Sequence, residues 1–441
     1  MTEFSLSHPN LLPLLMDHQP SHQSPITQKP HILSLPNLIT KRELIGALCF
    51  LSLLMVTVTF FTTTSPFLPR SLLGIGFLRQ DFPKSQNPTS GVCDYSTGKW
   101  VPDENCPLGA YSEDCPFLDP GFRCRRNGRR DGDYLKWRWQ PEGCNLPRFN
   151  ASDFLDRTRN GRIVFAGDSI GRNQWESLLC MLSQGVSNHS TIQEEYGNPI
   201  TKHNGFLSMR FDEHNLTVEY YRTPYLVTVS RPPKNTLKDV RGTIRVDMLH
   251  WYSEKWAAAD VLVFNAGHWW NHYKTLDMGI YFQEGGTVNM SMGVMEAFRR
   301  SLETWKLWAT LNLDPATSFT FFRSYSPVHY RNGTWNEGGS CDTNTTPETE
   351  YKKMEAEPPS NLIISDILKQ MGTNDRKVQL LNISYLTEFR KDGHPSSHRE
   401  PGTPPDAPQD CSHWCLPGVP DTWNHFLYAH LVSKGFRTKL K

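Results

Sequence analysis

The 441-residue chain has no surplus of charge of either sign: 46 Lys and Arg stand against 45 Asp and Glu. Without a basic excess there is no field to gather a polyanionic backbone, so nucleic acid is excluded as a partner. Phosphate-cradling loops are missing too. Neither G-x-x-x-x-G-K-S/T nor a strand-linked G-x-G-x-x-G occurs, which argues against a nucleotide-sugar transferase. No internal repeat is present. Long apolar runs are scarce, and cysteines are few and strongly biased in position.

The long apolar run is residues 44–61, eighteen residues without a charge and preceded by Lys41 and Arg42. At a helical rise it reaches roughly 27 Å, enough for a thin bilayer. Residues 1–43 are too long and too rich in Pro, His and Gln for a signal-peptide leader, so an uncleaved anchor is expected. The basic flank predicts a cytosolic N-terminus and a lumenal body, although Arg70 and Arg79 lie on the far side. The short span favours the Golgi, giving a single-pass type II protein. Nine of the ten cysteines follow the run, with Cys49 inside it. So do seven Asn-x-Ser/Thr sequons, at Asn150, Asn188, Asn215, Asn289, Asn332, Asn344 and Asn382. Both features fit an oxidising, glycosylating compartment.

Five segments are expected: a disordered cytosolic tail over 1–43, the anchor over 44–61, a Pro/Ser/Thr-rich stem over 62–90, a Cys-rich module over 91–150, and a main domain over 151–436. In the main domain, strands are predicted at 163–166, 261–265, 318–323 and 378–381, and helices at 170–184, 292–309, 360–371 and 422–434. Alternation of this kind predicts an α/β/α sandwich, a parallel sheet with helices on both faces. The Pro-rich stretch 391–410 is expected as a long loop.

Two short motifs carry the chemistry. Gly167-Asp168-Ser169 follows an apolar run and precedes a helical pattern, so Ser169 is placed at a strand-to-helix turn on the carboxyl edge of the sheet. Asp410-Cys-Ser-His413 supplies a base and its orienter three residues apart, on one side of a helical turn. A serine hydroxyl needs such a pair to become a nucleophile, and the helix start offers N–H groups to an oxyanion. Competing readings exist. Ser169 can merely cap the helix. His394 is a rival base. Cys411 and Cys415 with the neighbouring His and Asp can form a zinc site, although an oxidising lumen removes thiolate ligands. Trp251, Trp269, Trp270, Trp414 and Trp423 are either sugar-stacking surfaces or core.

The longer wording Gly167-Asp-Ser-Ile-Gly-Arg-Asn-Gln174 and Asp410-Cys-Ser-His-Trp-Cys-Leu-Pro-Gly-Val-Pro-Asp-Thr-Trp-Asn424 resembles the plant trichome-birefringence-like family. So do Asp114-Cys-Pro-Phe117, Trp137-Arg-Trp-Gln140 and Phe321-Phe-Arg-Ser-Tyr-Ser326, and the resemblance spans about residues 91–436. It implies a Gly-Asp-Ser (SGNH) hydrolase-like fold and O-acetylation of cell-wall polysaccharide. It also implies four bridges, Cys93–Cys144, Cys115–Cys180, Cys124–Cys415 and Cys341–Cys411, leaving Cys106 over. The oxyanion site of that class draws on glycine and asparagine from separate loops. Candidates here are the Ser169 N–H, Arg172 and Asn173, then Asn265, Gly267 and the adjoining His268, with Gly167 and Asp168 in the turn itself. The run Asn265-Ala-Gly-His-Trp-Trp270, with Phe322-Arg-Ser-Tyr-Ser-Pro327, looks most like the branch associated with pectic rhamnogalacturonan, xylan being the next choice. No bound cofactor is expected. An acetyl donor, acetyl-CoA or another carrier, is required, and a membrane protein supplying it is a candidate partner. An esterase removing acetyl groups and a non-catalytic polysaccharide-binding protein are the alternatives.

Overall fold

The computed structural model describes residues 93–103, 111–201, 204–350, 354–372 and 378–438. The predicted tail, anchor and stem, and Cys106, lie outside these residues. Among the described residues no helix is long and apolar enough to cross a membrane.

The Cys-rich module opens with a hairpin, β1 (Gly98–Pro102) and β2 (Trp137–Pro141), paired antiparallel with Trp100 opposite Trp139. The chain then enters α1 (Ala151–Arg157), capped by the Asn150 side chain, and β3 (Arg162–Gly167), which leads into α2 (Ser169–Ser183). Next come β4 (Ile192–Glu194), β5 (Phe206–Phe211), β6 (Leu216–Arg222), β7 (Val227–Ser230), β8 (Gly242–Leu249), the short α3 (Ser253–Trp256) and β9 (Val261–Phe264). The remainder is β10 (Ile280–Glu284), β11 (Thr287–Asn289), α4 (Val294–Asn312), β12 (Phe319–Arg323), α5 (Pro359–Gln370), β13 (Gln379–Leu381), α6 (Ser384–Glu388) and α7 (Val419–Ser433).

The main sheet has seven strands in the order β13-β12-β9-β3-β6-β5-β4. Strands β13 to β6 run parallel, with Ile163 opposite both Val218 and Val261. Strand β3, which leads to Ser169, is central, and from Ile163 onward it is buried on both faces, as an interior parallel strand must be. Side chains alternate across the sheet. Ile163, Phe165, Val261, Val263 and Phe321 join one core with Trp175, Leu178 and Leu179 of α2 and Trp423, Phe426 and Leu427 of α7. On the opposite face Phe264 meets Trp256 and Trp305 edge-on, each at 5.3 Å, and Trp305 meets Phe322 at 4.9 Å. Helices therefore cover both faces, as the alternation predicted.

Two features correct the expectation of a simple parallel sheet. Strands β5 and β4 add antiparallel at one edge, and β11-β10-β8-β7 form a second, mixed sheet. Strand β6 of the main sheet also escapes pattern reading, because a charged group sits inside it. In β6 the buried Glu219 is neutralised by bidentate contacts from Arg162 at 2.8 Å, and it also accepts from Thr217 and Tyr221. A carboxylate in the middle of a strand breaks the apolar run that identifies a buried strand.

Four disulfides form: Cys93–Cys144, Cys115–Cys180, Cys124–Cys415 and Cys341–Cys411. The second and third tie the N-terminal module to α2 and to the segment after His413. Aromatic packing does the same for the hairpin. Trp139 lies edge-on to Trp100 at 5.7 Å and to Tyr385 at 6.0 Å, and its indole N–H donates to the Tyr95 carbonyl. Trp139→Ala, at a site 2% exposed, is expected to cost about 3–5 kcal/mol. The urea midpoint falls if the module is part of the cooperative unit; an unchanged midpoint would mean that the hairpin merely rests on the domain.

Candidate active site

A tight turn at the end of β3 delivers Ser169. Asp168 is the N-cap of α2, its Oδ1 accepting from the Ile170 and Gly171 amides at 3.0 and 3.4 Å. Capping thus falls to Asp168, and Ser169 is the first helical residue with its hydroxyl turned elsewhere. Both glycines of the motif are obligatory by volume, since a Cβ on Gly167 or Gly171 would overlap the Asn265 side chain.

The hydroxyl meets the other motif. Ser169 Oγ lies 2.8 Å from His413 Nε2, and His413 Nδ1 lies 2.8 Å from Asp410 Oδ2. With a neutral ring, Nδ1–H donates to the carboxylate and Nε2 is left to accept the serine proton. Asp410 Oδ1 takes the Ser412 and His413 amides, at 3.1 and 3.0 Å, so carboxylate and ring are fixed as one unit. Burial works against the charge of Asp410, but His413, through its charge and its hydrogen bonds, holds the carboxyl far below the usual carboxylate range. Ser169, His413 and Asp410 are all partly exposed, so the cluster is reachable from solvent.

Several groups hold the His413 segment on the helix. Asn173 accepts from the Trp414 amide at 2.8 Å and donates to the Trp414 carbonyl at 3.1 Å. The Trp414 indole donates to Ser326 Oγ. His394, 2% exposed, binds the His413 carbonyl through Nδ1 at 2.7 Å and His329 through Nε2 at 2.7 Å. With both nitrogens committed, and burial and His329 pushing its pKa well below normal, His394 props the loop and does not compete as a base. Phe122 of the N-terminal module stacks obliquely on the His413 ring, centroids 5.5 Å apart. Cys411 and Cys415 are each oxidised, with different partners, so the thiolates that a zinc site requires are gone.

The expected oxyanion donors separate into different roles. The Arg172 guanidinium is buried against Asp119 Oδ2 at 3.0 Å and Glu176 Oε1 at 2.5 Å, and the Asp119 amide donates to Glu176. It locks the module to α2. Asn173 is occupied by Trp414, and Asn265 Nδ2 donates to Asp168 Oδ1 at 2.6 Å. Gly267 has φ +141°, with Tyr325 packed where a Cβ would stand. His268 Nδ1 lies 3.1 Å from Asp168 Oδ2. The Ser169 N–H is the backbone donor of the turn that stands beside the hydroxyl. Of the five candidate tryptophans, Trp251 is exposed, whereas Trp269, Trp270, Trp414 and Trp423 are buried. Trp269 is flanked by Arg222 and Lys274, at 5.6 and 5.1 Å.

Pattern reading missed Asp119, Glu176 and Arg323. Arg323 is 1% exposed and donates to the Ile170 carbonyl at 3.1 Å, under the nucleophile turn. Its signal was present: an arginine closing the apolar run 319–322 has to find a buried acceptor.

Comparison with known proteins identifies the family of the domain that holds this site. Residues 146–430 match the PC-Esterase model, described as a GDSL/SGNH-like acyl-esterase family found in Pmr5 and Cas1p, and residues 91–145 match the PMR5 N-terminal domain. The chain is 57% identical to Arabidopsis thaliana protein trichome birefringence-like 9 over 88% of this chain and 95% of that protein. It is 46% identical to trichome birefringence-like 6 of the same plant, over 78% of this chain and 71% of the relative. With protein trichome birefringence itself the identity is 41%, over 78% and 56%.

The buried acids generate a pH prediction. Burial pushes Glu176 up to about 7 against the pull of Arg172, and Asp421 up to about 6. A carboxyl raised in the folded state stabilises it fully below the unfolded value, 4.5 for Glu, and that contribution is lost as pH rises through the folded value. Glu176→Gln is therefore expected to flatten the decline in unfolding free energy between about pH 5 and pH 7. Urea melts across that range test this, and an unaltered slope would contradict it.

Proposed function

Because the chain belongs to the trichome-birefringence-like family and carries its acyl-esterase-like domain, we propose that it is an O-acetyltransferase acting on a plant cell-wall polysaccharide. The observation that carries the chemistry is the unbroken line from Ser169 Oγ through His413 to Asp410, 2.8 Å at each step.

In this mechanism Ser169 attacks the acetyl carbonyl of the donor while His413 Nε2 takes its proton. Asp410 keeps the ring in the tautomer that can accept, and stabilises the imidazolium that forms. The Ser169 N–H and the start of α2 face the developing oxyanion. Collapse expels the donor's leaving group with the proton from His413 and leaves acetyl-Ser169. A sugar hydroxyl then gives its proton to His413 and attacks the ester, and the serine regains the proton as it departs. Water in place of the sugar makes the same machine an esterase. Transfer wins only where a bound acceptor is oriented at high effective concentration.

Pectic rhamnogalacturonan is the favoured acceptor, on the wording 265–270 together with 322–327, with xylan next. The donor is acetyl-CoA or another acetyl carrier, handed over by a membrane partner. The proposed setting is the Golgi lumen, with residues 44–61 as the type II anchor. Four disulfides support an oxidising compartment. So do the sequon asparagines, of which Asn150, Asn188, Asn215, Asn289 and Asn332 are exposed.

The test is mass spectrometry after incubation of the wild-type and Ser169→Ala proteins with an acetyl donor and separate pectic, xylan and mannan oligosaccharides. One acetyl mass gained on one oligosaccharide, and lost in the variant, is the expected result. Acetyl loss from pre-acetylated oligosaccharides, with no gain on any acceptor, selects the esterase. Equal behaviour of the two proteins removes Ser169 as the nucleophile.

A further inference from the structure

The Asp168 carboxylate lies against the nucleophile and is fully buried. A bare anion there opposes the chemistry. It stands at the helix start, where the positive end of α2 otherwise favours an oxyanion, and its own charge cancels that field. The capping amides and Asn265 solvate Oδ1, at 2.6 to 3.4 Å. They supply dipoles but no countercharge.

His268 is placed to supply it. Its Nδ1 lies 3.1 Å from Asp168 Oδ2 and its Nε2 lies 2.8 Å from the Ser326 carbonyl oxygen. A carbonyl oxygen only accepts, and an ionised carboxylate only accepts. Both contacts are hydrogen bonds together only if the ring donates at both nitrogens. The ring is clamped flat on Tyr325, centroids 4.1 Å apart and planes 13° apart, which prevents it from turning away. Groups other than the ring favour an ionised Asp168: three N–H donors, from Ile170, Gly171 and Asn265, converge on Oδ1, and hydrogen bonds to the charged form oppose the effect of burial. Arg323 also lowers the Asp168 carboxyl through its charge, but its guanidinium makes its hydrogen bonds to the Ile170 carbonyl and Gln174, so the direct ionic contact falls to His268.

We infer that His268 is a positioning residue held as an imidazolium, the fixed countercharge that neutralises Asp168 beside Ser169 and keeps the α2 N-terminus available to an oxyanion. This role rests on the acyl-transfer reading of Ser169. The charge state of the ring does not, so the two fail separately.

Two measurements test it. In the full-length protein labelled with ¹⁵N-histidine, the His268 ring, assigned by its loss in His268→Gln, is expected to show two protonated nitrogens at neutral pH. One bare nitrogen overturns the proposal whatever the enzyme assay shows. In the acetyl-transfer or acetyl-release assay, His268→Gln keeps one donor toward Asp168 but removes the charge, and is expected to lower kcat about tenfold or more with little change in KM. Adding Asp168→Asn, which still caps the helix but no longer carries the anion, is expected to recover part of that loss. A double variant as slow as the product of the two single losses would show that His268 only packs. If the wild type neither transfers nor releases acetyl groups, the proposed function fails and the ring spectrum alone decides this inference.

Discussion

The 2.8 Å contact between Ser169 Oγ and His413 Nε2 joins segments 244 residues apart, and most of the surrounding structure serves to keep it. Proton transfer tolerates little slack, so a base on an irregular loop is useful only if that loop is as rigid as the helix opposite. Here the loop is held at three levels. Asn173 grips both backbone groups of Trp414. Disulfides at Cys411 and Cys415 bracket His413 and anchor it to two different parts of the chain. Behind the loop, the buried His394–His329 pair binds the His413 carbonyl. Each of these supports removes a freedom of the His413 loop relative to Ser169.

The same logic explains why the N-terminal module is more than an appendage. Its Asp119 shares the Arg172 guanidinium with Glu176 of α2, its Phe122 lies against the His413 ring, and its cysteines reach α2 and the His413 loop. A buried ion triad is a costly way to gain stability, because desolvation offsets most of the Coulombic attraction. It does specify geometry, since any shift of the module relative to α2 leaves a buried charge unpaired. The boundary near residue 145 between the two matched family models therefore divides two sequence units that share one site.

Placement of the nucleophile was legible in the chain. The apolar run 163–166 and the helical spacing after it set Ser169 at a strand-to-helix turn, and Asp-x-x-His set the base and its orienter three residues apart, because backbone periodicity acts locally. The four long helices and four of the five parallel strands of the main sheet follow from the same periodicity to within a few residues. The antiparallel edge, the second sheet and the parallel strand 216–222 were not legible; 216–222 holds a buried charge whose partner, Arg162, is distant in sequence. For the same reason Arg172 and Asn173 read as oxyanion donors, whereas the structure commits them to Glu176, Asp119 and Trp414. Local order thus determined which residues are candidates for the chemistry and at which edge of the sheet Ser169 stands. Only the tertiary structure decided which polar side chains face the reacting atoms and which brace them, because a buried donor goes to whichever acceptor the packing brings within 3 Å, and that choice leaves no local pattern.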